Sequence, residues 1–315
     1  MSGQNSAFCA PARTSFFRHI SSLRASVLTG ALAAASSMPA HAALDANVQI
    51  VDSGNLVSGL YGQIISNVSA ALSDWGRYLV GSAKIDVEFN VTDTVATAAA
   101  SSRASAYIGD QGGIHVYGAG MAYKVDTGVD VNGATPDIEI LCNPNYLRNE
   151  LWFDPDPTLR QLGVPTDKTD AMSVFIHEVG HALAFNGWGS SVDGSLPGNY
   201  ASTWDINTVF KGGELFFVGS NAVKLYGSDV PVTIGSNYHI GNASGVRSDL
   251  LSDVMNGVSF VRGSRYDISS LDLAMAKDMG VSVLAVPEPA TVWLTVAGLA
   301  AIGVVTRRRQ ITLPA

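Results

Sequence analysis

The clearest hydrophobic pattern in the first third of the chain is helical. In "NLVSGLYGQIISNVSAALSDWGRYLVG", residues 55–81, apolar side chains recur every three or four positions, at Leu56, Leu60, Ile64, Ile65, Val68, Leu72 and Trp75. An α-helix has about 3.6 residues per turn, so this spacing places the seven side chains along one face. The pattern predicts a first long helix that packs on a core through that face.

Shorter runs of another type follow. Each is rich in β-branched or aromatic residues and is bounded by Gly, Asp or Pro, as strands are; they read "AKIDVEFNVTDT", "SAYIGD", "GIHVYGAGMAYKV" and "DIEILC". We expect these runs to form a mixed sheet of several strands, followed by a helix that stops at Asn186-Gly187. The fold class is then α+β. No repeat and no long linker divides residues 43–286, which we take as one domain.

The first 42 residues have the composition of an export signal. Residues 1–24 contain Arg13, Arg18 and Arg24 but no Asp or Glu, and "SVLTGALAAASSM" is an apolar run. "AHA", ending at Ala42, has the small-x-small form of a signal-peptidase site. We expect a signal peptide over 1–42, the alternative being a buried N-terminal helix.

The C-terminal segment "VPEPATVWLTVAGLAAIGVVTRRRQ" joins a Pro-Glu-Pro triplet at 287–289, an apolar run at 290–306 and three arginines at 307–309. As a helix the run rises roughly 25 Å, near the lower limit for crossing a bilayer, and the arginines favour a cytoplasmic end. The order resembles the PEP-CTERM sorting signal of Gram-negative bacteria. The resemblance implies that 287–315 is an address recognised by an exosortase, with a transmembrane segment at 290–306. A plain tail anchor is the alternative.

The two ends together predict an exported protein. It would be an inner-membrane intermediate first, and would then reach the cell surface or the extracellular space. Between the ends, residues 43–286 contain 13 basic and 26 acidic residues. Phosphate binding needs clustered Lys and Arg, so this balance argues against a nucleic-acid partner.

Cys142 is the one cysteine of this part, so no intramolecular disulfide can form there. We expect Cys142 to be a small buried residue rather than a thiol that caps a metal.

The strongest chemical signal is "HEVGH", with His177, Glu178 and His181. On a helix, positions i and i+4 lie one above the other, so both imidazoles can bind one zinc ion. Glu178 comes round beside the metal, where it can take a proton from a water molecule that zinc activates. We therefore expect His177 and His181 as zinc ligands and Glu178 as the general base.

The third ligand is not in the compact position that follows some HExxH motifs. There a Gly three residues after the second His turns the chain, and a His three further on completes the site; here those positions are Ala184 and Gly187. His239 is the one histidine downstream and lies in the Gly/Asn-rich "SNYHIGNAS". It is the preferred third ligand. The carboxylates that stay open as alternatives are Asp193, Asp205, Asp249, Asp253 and Glu214.

The order "HEVGHALAFNG", a distal His, "SDVMNG" and then "ISSLDLAMAKDMG" resembles a metzincin-type zinc metalloprotease. It is similar to the leishmanolysin-like branch, in which the third His also follows an insertion, and to uncharacterised PEP-CTERM metalloprotease-like proteins. The resemblance implies a zincin/metzincin-like fold with an active-site helix and a C-terminal subdomain that carries a Met-turn and a closing helix. It implies Met255 as the apolar floor under the zinc. Tyr238, beside the proposed ligand, is a candidate to stabilise the oxyanion.

These patterns predict an exported zinc endopeptidase that acts on a protein or peptide substrate. The alternative is a non-catalytic matrix or polysaccharide-associated surface protein that keeps a zinc site. Two further features have structural interpretations: His115 as an exposed strand residue, and Asp126, Asp130 and Asn132 as part of a hairpin turn, since a twelve-residue calcium loop would need a closing Glu.

Overall fold

A computed structural model describes residues 44–242 and 245–284 of this chain. The strands are β1 Leu44–Val51, β2 Ala83–Val91, β3 Ala98–Ser102, β4 Ser105–Gln111, β5 Ile114–Ala119, β6 Ile138–Cys142, β7 Leu151–Trp152, β8 Thr169–Asp170, β9 Tyr200–Ser202, β10 Thr208–Lys211, β11 Glu214–Phe217 and β12 Val230–Pro231. The α-helices are α1 Tyr61–Gly76, α2 Gly120–Thr127, α3 Ala171–Leu183, α4 Ser220–Tyr226 and α5 Ser270–Asp278. The described part is therefore a mixed α+β fold, as the sequence predicts.

The first helix, α1, begins later than its hydrophobic pattern predicts. Ile64, Val68, Leu72 and Trp75 are fully buried, in agreement with the helical spacing. Leu56 precedes the helix and is 46% exposed, so the prediction was wrong at this end. Ile65 is also exposed at 40%, because a residue next to Ile64 is turned about 100° away from the buried face.

A four-stranded sheet carries the larger core, with strand order β1-β2-β6-β3. β1, β2 and β6 are parallel, and β3 runs antiparallel to β6 at the edge of the sheet. Ile85, Val87 and Phe89 alternate along β2 and are at most 1% exposed, because successive strand residues face opposite sides.

Helices α1 and α3 pack together. Trp75 Nε1 donates to the carbonyl of Ile176 at 2.9 Å, and the rings of Phe89 and Phe175 meet edge to face at 5.8 Å. The buried indole N–H thus has a partner, and α3 packs against both the first helix and the sheet.

The run "GIHVYGAGMAYKV" is a strand only in its first half. β5 ends at Ala119, and α2 begins at Gly120, where a Cβ would lie 2.8 Å from the carbonyl oxygen of Ala104. This contact needs glycine, and it turns the chain out of the strand. β5 pairs with β4 and β9 in a separate three-stranded sheet, so the four predicted strand runs divide between two sheets.

The chain after α3 forms a third sheet, β10-β11-β12, and two helices. The last helix, α5, begins with a capping box: Ser269 accepts from the N–H of Asp272, and the Asp272 side chain accepts from the N–H of Ser269. Two orphan N–H groups at the helix start are satisfied in this way.

Within the described residues, none of the helices has both the length and the apolar composition that crossing a bilayer requires. The predicted signal peptide, residues 1–42, and the predicted transmembrane segment, residues 290–306, lie outside the described residues.

Candidate metal centre

Asp170 starts the helix that carries "HEVGH". Its carboxylate accepts from Ser173 N at 3.0 Å and Ser173 Oγ at 2.6 Å, which satisfies a free N–H of the first turn. Arg160 and Arg265 contact the same carboxylate at 3.3 and 3.4 Å. Asp170 is fully buried, so these partners offset the cost of its charge. The start of α3 is therefore fixed at both the backbone and the side-chain level.

The end of α3 differs from the prediction. The helix stops at Leu183, not at Asn186-Gly187, because Ala184 leaves the helical region with φ −166° and ψ −25°. The segment beyond is held by Asp205, whose carboxylate accepts from Trp188 N at 3.0 Å and Gly189 N at 3.0 Å. A Cβ on Gly187 would lie 2.4 Å from Asp205 Oδ1. Glycine is needed there for this close approach rather than for a helix cap.

The structure brings His177, His181 and His239 together. The Nε2 atoms are 3.0 Å apart for His181 and His177, 3.0 Å for His181 and His239, and 3.1 Å for His177 and His239. The first two imidazoles come from adjacent turns of α3, and the third comes from a loop 58 residues after His181. The three nitrogens form a nearly equilateral triangle that faces one point.

The other ring nitrogen of each imidazole contacts an oxygen atom. The Nδ1 distances are 2.6 Å to Val254 O for His177, 2.7 Å to Phe185 O for His181 and 2.7 Å to Ser236 Oγ for His239. A carbonyl can only accept, so Nδ1 carries the proton in His177 and His181, and their Nε2 lone pairs are free. The early end of α3 matters here, because in a continued helix the Phe185 carbonyl would point along the axis towards residue 189.

This donor set fits a transition-metal ion. His177 and His181 are 9% and 8% exposed. Burial, with the neighbouring His181, lowers the pKa of His177 to about 3, and burial lowers the pKa of His181 to about 4. Burial and the two other imidazoles also lower the pKa of His239. Neutral imidazole lone pairs that converge on one point repel each other unless a cation lies between them, and three nitrogens with an open position are typical of a catalytic site.

Glu178 lies beside the triangle in a cleft of about 410 Å³, which His177 and His239 also line. The glutamate is 5% exposed, and its Oε2 atom has no hydrogen-bond partner among the described residues. Burial raises the pKa of Glu178 to about 8. A buried carboxyl group without a partner is costly for stability, so a role in binding or proton transfer explains it better than a structural role.

Met255 packs against α3 at Gly180, the residue before His181. It is fully buried, and a Cβ built on Gly180 would lie 2.7 Å from its sulfur. Its N–H donates to Asp253 Oδ1 at 2.9 Å, and its carbonyl accepts from Ile240 N at 3.0 Å. Ile240 follows His239, so Met255 contacts both α3 and the loop of the third histidine.

The carboxylates that were alternatives for the third ligand lie in other contacts. Asp205 holds the segment after α3, and Asp253 holds the turn of Met255. Asp193 accepts from Ser195, Asp249 contacts the Tyr226 hydroxyl, and Glu214 lies in β11. Among the described residues, the group that could hold a metal consists of the three histidines alone.

Tyr238 and Tyr146 have different surroundings. The ring of Tyr238 meets Trp204 edge to face at 6.3 Å, and burial raises the pKa of its hydroxyl. Tyr146, which the sequence did not single out, lines the same cleft as Glu178, and burial raises its pKa also. Its position four residues after the end of β6, in "CNPNY", is the signal that could have indicated it, since loops that follow strands often carry functional residues. Ser236 was also missed, three residues before His239.

The remaining expectations concern structure. His115 lies on β5 with its side chain 46% exposed and contacts Asp110. Asp130 Oδ1 accepts from the N–H groups of Asn132 and Gly133, which makes a turn. Cys142 is fully buried at the end of β6. His115 and Cys142 agree with the structural interpretations. Residues 130–133 form a turn, but Asp126 lies in α2 and the turn joins that helix to β6, so the prediction of a hairpin was wrong.

Residues 285–309 match the family model of the PEP-CTERM protein-sorting motif. The motif supports membership of the PEP-CTERM group; it is a recognition signal for an exosortase-type sorting enzyme. It indicates export and membrane-associated sorting, which is consistent with an extracellular or surface localisation. No curated protein and no solved structure matches the chain.

Proposed function

We propose that this chain is an exported zinc-dependent endopeptidase with a metzincin-like arrangement. The observation that carries the proposal is the pairing of two features in one cleft. Three imidazole nitrogens face a common point at 3.0 to 3.1 Å from one another, and the buried Glu178 beside them lacks a partner for Oε2. A protein that only bound a metal would gain nothing from such a carboxyl group.

His177, His181 and His239 would hold the zinc ion, which when bound would polarise the scissile carbonyl and acidify a water molecule. Glu178 would take the proton from the attacking water and pass it to the leaving amine nitrogen. Burial keeps the three imidazoles neutral, and the Nδ1 contacts orient their rings. Met255 would be the apolar floor under the site.

The position of the edge strand β3 supports the proposal that the substrate is a polypeptide. Thr97 and Ala98, at the start of β3, line the cleft with Glu178. Ser102, at its other end, lines a second cavity with His181. An extended peptide that added to this edge would pass along the metal centre, with main-chain hydrogen bonds giving affinity.

The proposal is tested by metal analysis and a protease assay on the mature chain. We expect about one zinc per molecule and cleavage of fluorescein-labelled β-casein. Glu178→Gln should keep the zinc and lose activity about a hundredfold or more, because proton transfer is typically worth that factor. His239→Ala should lose the zinc, whereas His115→Ala, at an exposed histidine outside the site, should keep it.

The same experiment separates the alternative of a non-catalytic surface protein. That protein would bind zinc, but Glu178→Gln would behave as the parent because neither would cleave casein. For localisation, we propose that residues 290–306 cross the inner membrane until an exosortase recognises the motif.

A further inference from the structure

The β4-β5-β9 sheet has one buried and one exposed face. Ala106, Val116 and Ala201 are at most 5% exposed and lie on the buried face. The alternating residues form the other face, where Tyr107 pairs with Tyr117 and His115 pairs with Tyr200. Tyr107 and Tyr200 are 53% and 40% exposed. A face of this kind would ordinarily carry polar side chains, and here it carries aromatic rings.

Four aromatic rings form a continuous row on this face. Tyr107 meets Tyr117 at 5.6 Å, Tyr117 meets Trp188 at 5.7 Å, and Trp188 meets Tyr200 at 5.6 Å, all edge to face. Trp188 comes from the segment after α3 that Asp205 holds, and it is 39% exposed. We refer to Tyr107, Tyr117, Trp188 and Tyr200 as the aromatic row.

The aromatic row leads to the metal centre. Tyr117 and Trp188 line a cavity of about 70 Å³ together with His181 and with Ser102 at the end of β3. The two middle rings of the row thus lie at the wall of the cavity that His181 also lines, and the two outer rings, Tyr107 and Tyr200, lie beyond it on the exposed sheet. A chain that leaves the edge of β3 at Ser102 would therefore meet these rings.

We propose that the aromatic row binds a distal segment of the polypeptide substrate, uncharged and containing aromatic or proline side chains. This inference rests on the proposed peptidase function and adds a substrate class to it. Tyrosine and tryptophan give large contact areas at low cost in conformational entropy and dominate many interfaces. Side chains on one face of an extended chain recur roughly every 7 Å, comparable with the spacing of the rings.

Charge on this face also favours an uncharged segment. The ionisable partners beside the rings, Asp110 and His115, contact each other at 2.6 Å. Within the part of the chain that the structure describes, no Lys or Arg contacts the four rings, so binding of phosphate groups together with stacking of nucleic-acid bases is disfavoured.

The test compares a long and a short substrate of the zinc-loaded mature protein. The long substrate is fluorescein-labelled β-casein, and the short one is a hexapeptide that spans the casein bond cleaved fastest. Tyr107→Ala/Tyr200→Ala should lower the long-to-short ratio of kcat/KM about tenfold, since each aromatic contact contributes a factor of a few. Tyr107→Phe/Tyr200→Phe should restore the ratio, because the rings remain. Phe210→Ala removes an aromatic side chain of similar exposure from β10 and should leave the ratio unchanged.

If the parent cleaves casein and the double alanine variant has the same long-to-short ratio of kcat/KM, the aromatic row does not bind substrate. The peptidase proposal would then remain intact. If the parent cleaves no casein, the peptidase proposal fails. A binding measurement then tests whether the aromatic row binds a polypeptide. Fluorescence anisotropy with labelled β-casein then compares the parent with the double alanine variant. Weaker binding by the variant would support polypeptide binding by the aromatic row. Equal binding by both proteins, or no binding by the parent, would overturn it.

Discussion

The sulfur of Met255 occupies the space that a side chain on Gly180 would need. A Cβ at position 180 would lie 2.7 Å from Sδ and 3.3 Å from Cζ2 of Trp75. Gly180 is the residue before the second histidine of "HEVGH", so a glycine in the middle of a helix, which ordinarily costs about 1 kcal/mol, is explained by close packing.

We therefore expect Gly180→Ala to destabilise the protein despite the better helix propensity of alanine. Overpacking typically costs about 1 to 3 kcal/mol, which exceeds the gain in propensity. In a Met255→Ala background the same change should cost much less, because the sulfur is gone. Urea unfolding of the four proteins measures this coupling. An equal effect of Gly180→Ala in both backgrounds would show that the Met255 sulfur does not restrict the side chain that residue 180 can carry.

The hydroxyl of Ser236 should tune the metal affinity of His239. Its Oγ lies 2.7 Å from His239 Nδ1, and loss of such an outer partner costs about 10- to 100-fold in metal affinity. We expect Ser236→Ala to bind zinc more weakly by that factor, measured by competition with a chelating dye. Ser259→Ala is the matched control, since Ser259 lines the cleft without a hydroxyl contact to the three imidazoles among the described residues. Equal affinities for the two variants would remove Ser236 from the site.

Asp272 should make stability depend on pH. Burial and the neighbouring Asp253 raise its pKa well above the ordinary value. The Oδ1 atom is buried and has no hydrogen-bond partner among the described residues, and a proton shared with Asp253 would satisfy it. Above about pH 4 the unfolded carboxyl has lost its proton while the folded one retains it. The folded state then binds more protons than the unfolded state. The free energy of unfolding therefore decreases as pH rises above about 4, until the folded carboxyl also loses its proton.

Asp272→Asn removes this titration and keeps an oxygen that can accept from Ser269 N, which now donates at 2.7 Å. The variant should therefore gain stability relative to the parent as pH rises from about 4 towards 8. Urea unfolding at each pH measures the difference in the free energy of unfolding between the variant and the parent. The buried histidines contribute equally to both proteins, so their contribution cancels. A difference that stays constant over this range would contradict the shared proton.

The sorting motif gives a prediction about location. A chain without residues 287–309 should still leave the cytoplasm, because the predicted signal peptide is separate, and it should be released from the inner membrane. Replacing Pro287-Glu288-Pro289 by Ala-Gln-Ala keeps the apolar run. This variant should accumulate in the inner membrane if an exosortase reads the motif, and should behave as the parent if the segment is a plain anchor. Truncated protein in the cytoplasm would show that residues 1–42 are not the export signal.

Local spacing predicted the parts of the structure that depend on it. The i, i+4 relation gave the shared direction of His177 and His181, and period-2 alternation gave β2. The path of the chain after α3 could not be predicted, because it depends on Asp205, which lies beyond the helix and accepts from Trp188 N and Gly189 N. The division of the strand runs between two sheets also depends on pairing between distant residues, since β2 pairs with β6 and β5 pairs with β9.

The aromatic row shows the same limit. Tyr107, Tyr117 and Tyr200 alternate with buried residues, so their common face can be derived once the pairing of the strands is known. Trp188 could not be placed by periodicity, since it reaches the sheet from an irregular segment.

The 58-residue separation of His181 and His239 has a consequence for the order of events during biogenesis. Two ligands belong to one helix, but the third is synthesised and translocated later, after the strands β9 to β12 have emerged. A nascent chain that ends before His239 has only a bidentate site, and metal binding is coupled to folding. On the proposed function, the chain cannot be a competent hydrolase before His239 has been translocated, so the order of its own sequence protects the neighbouring secretion machinery during that part of export.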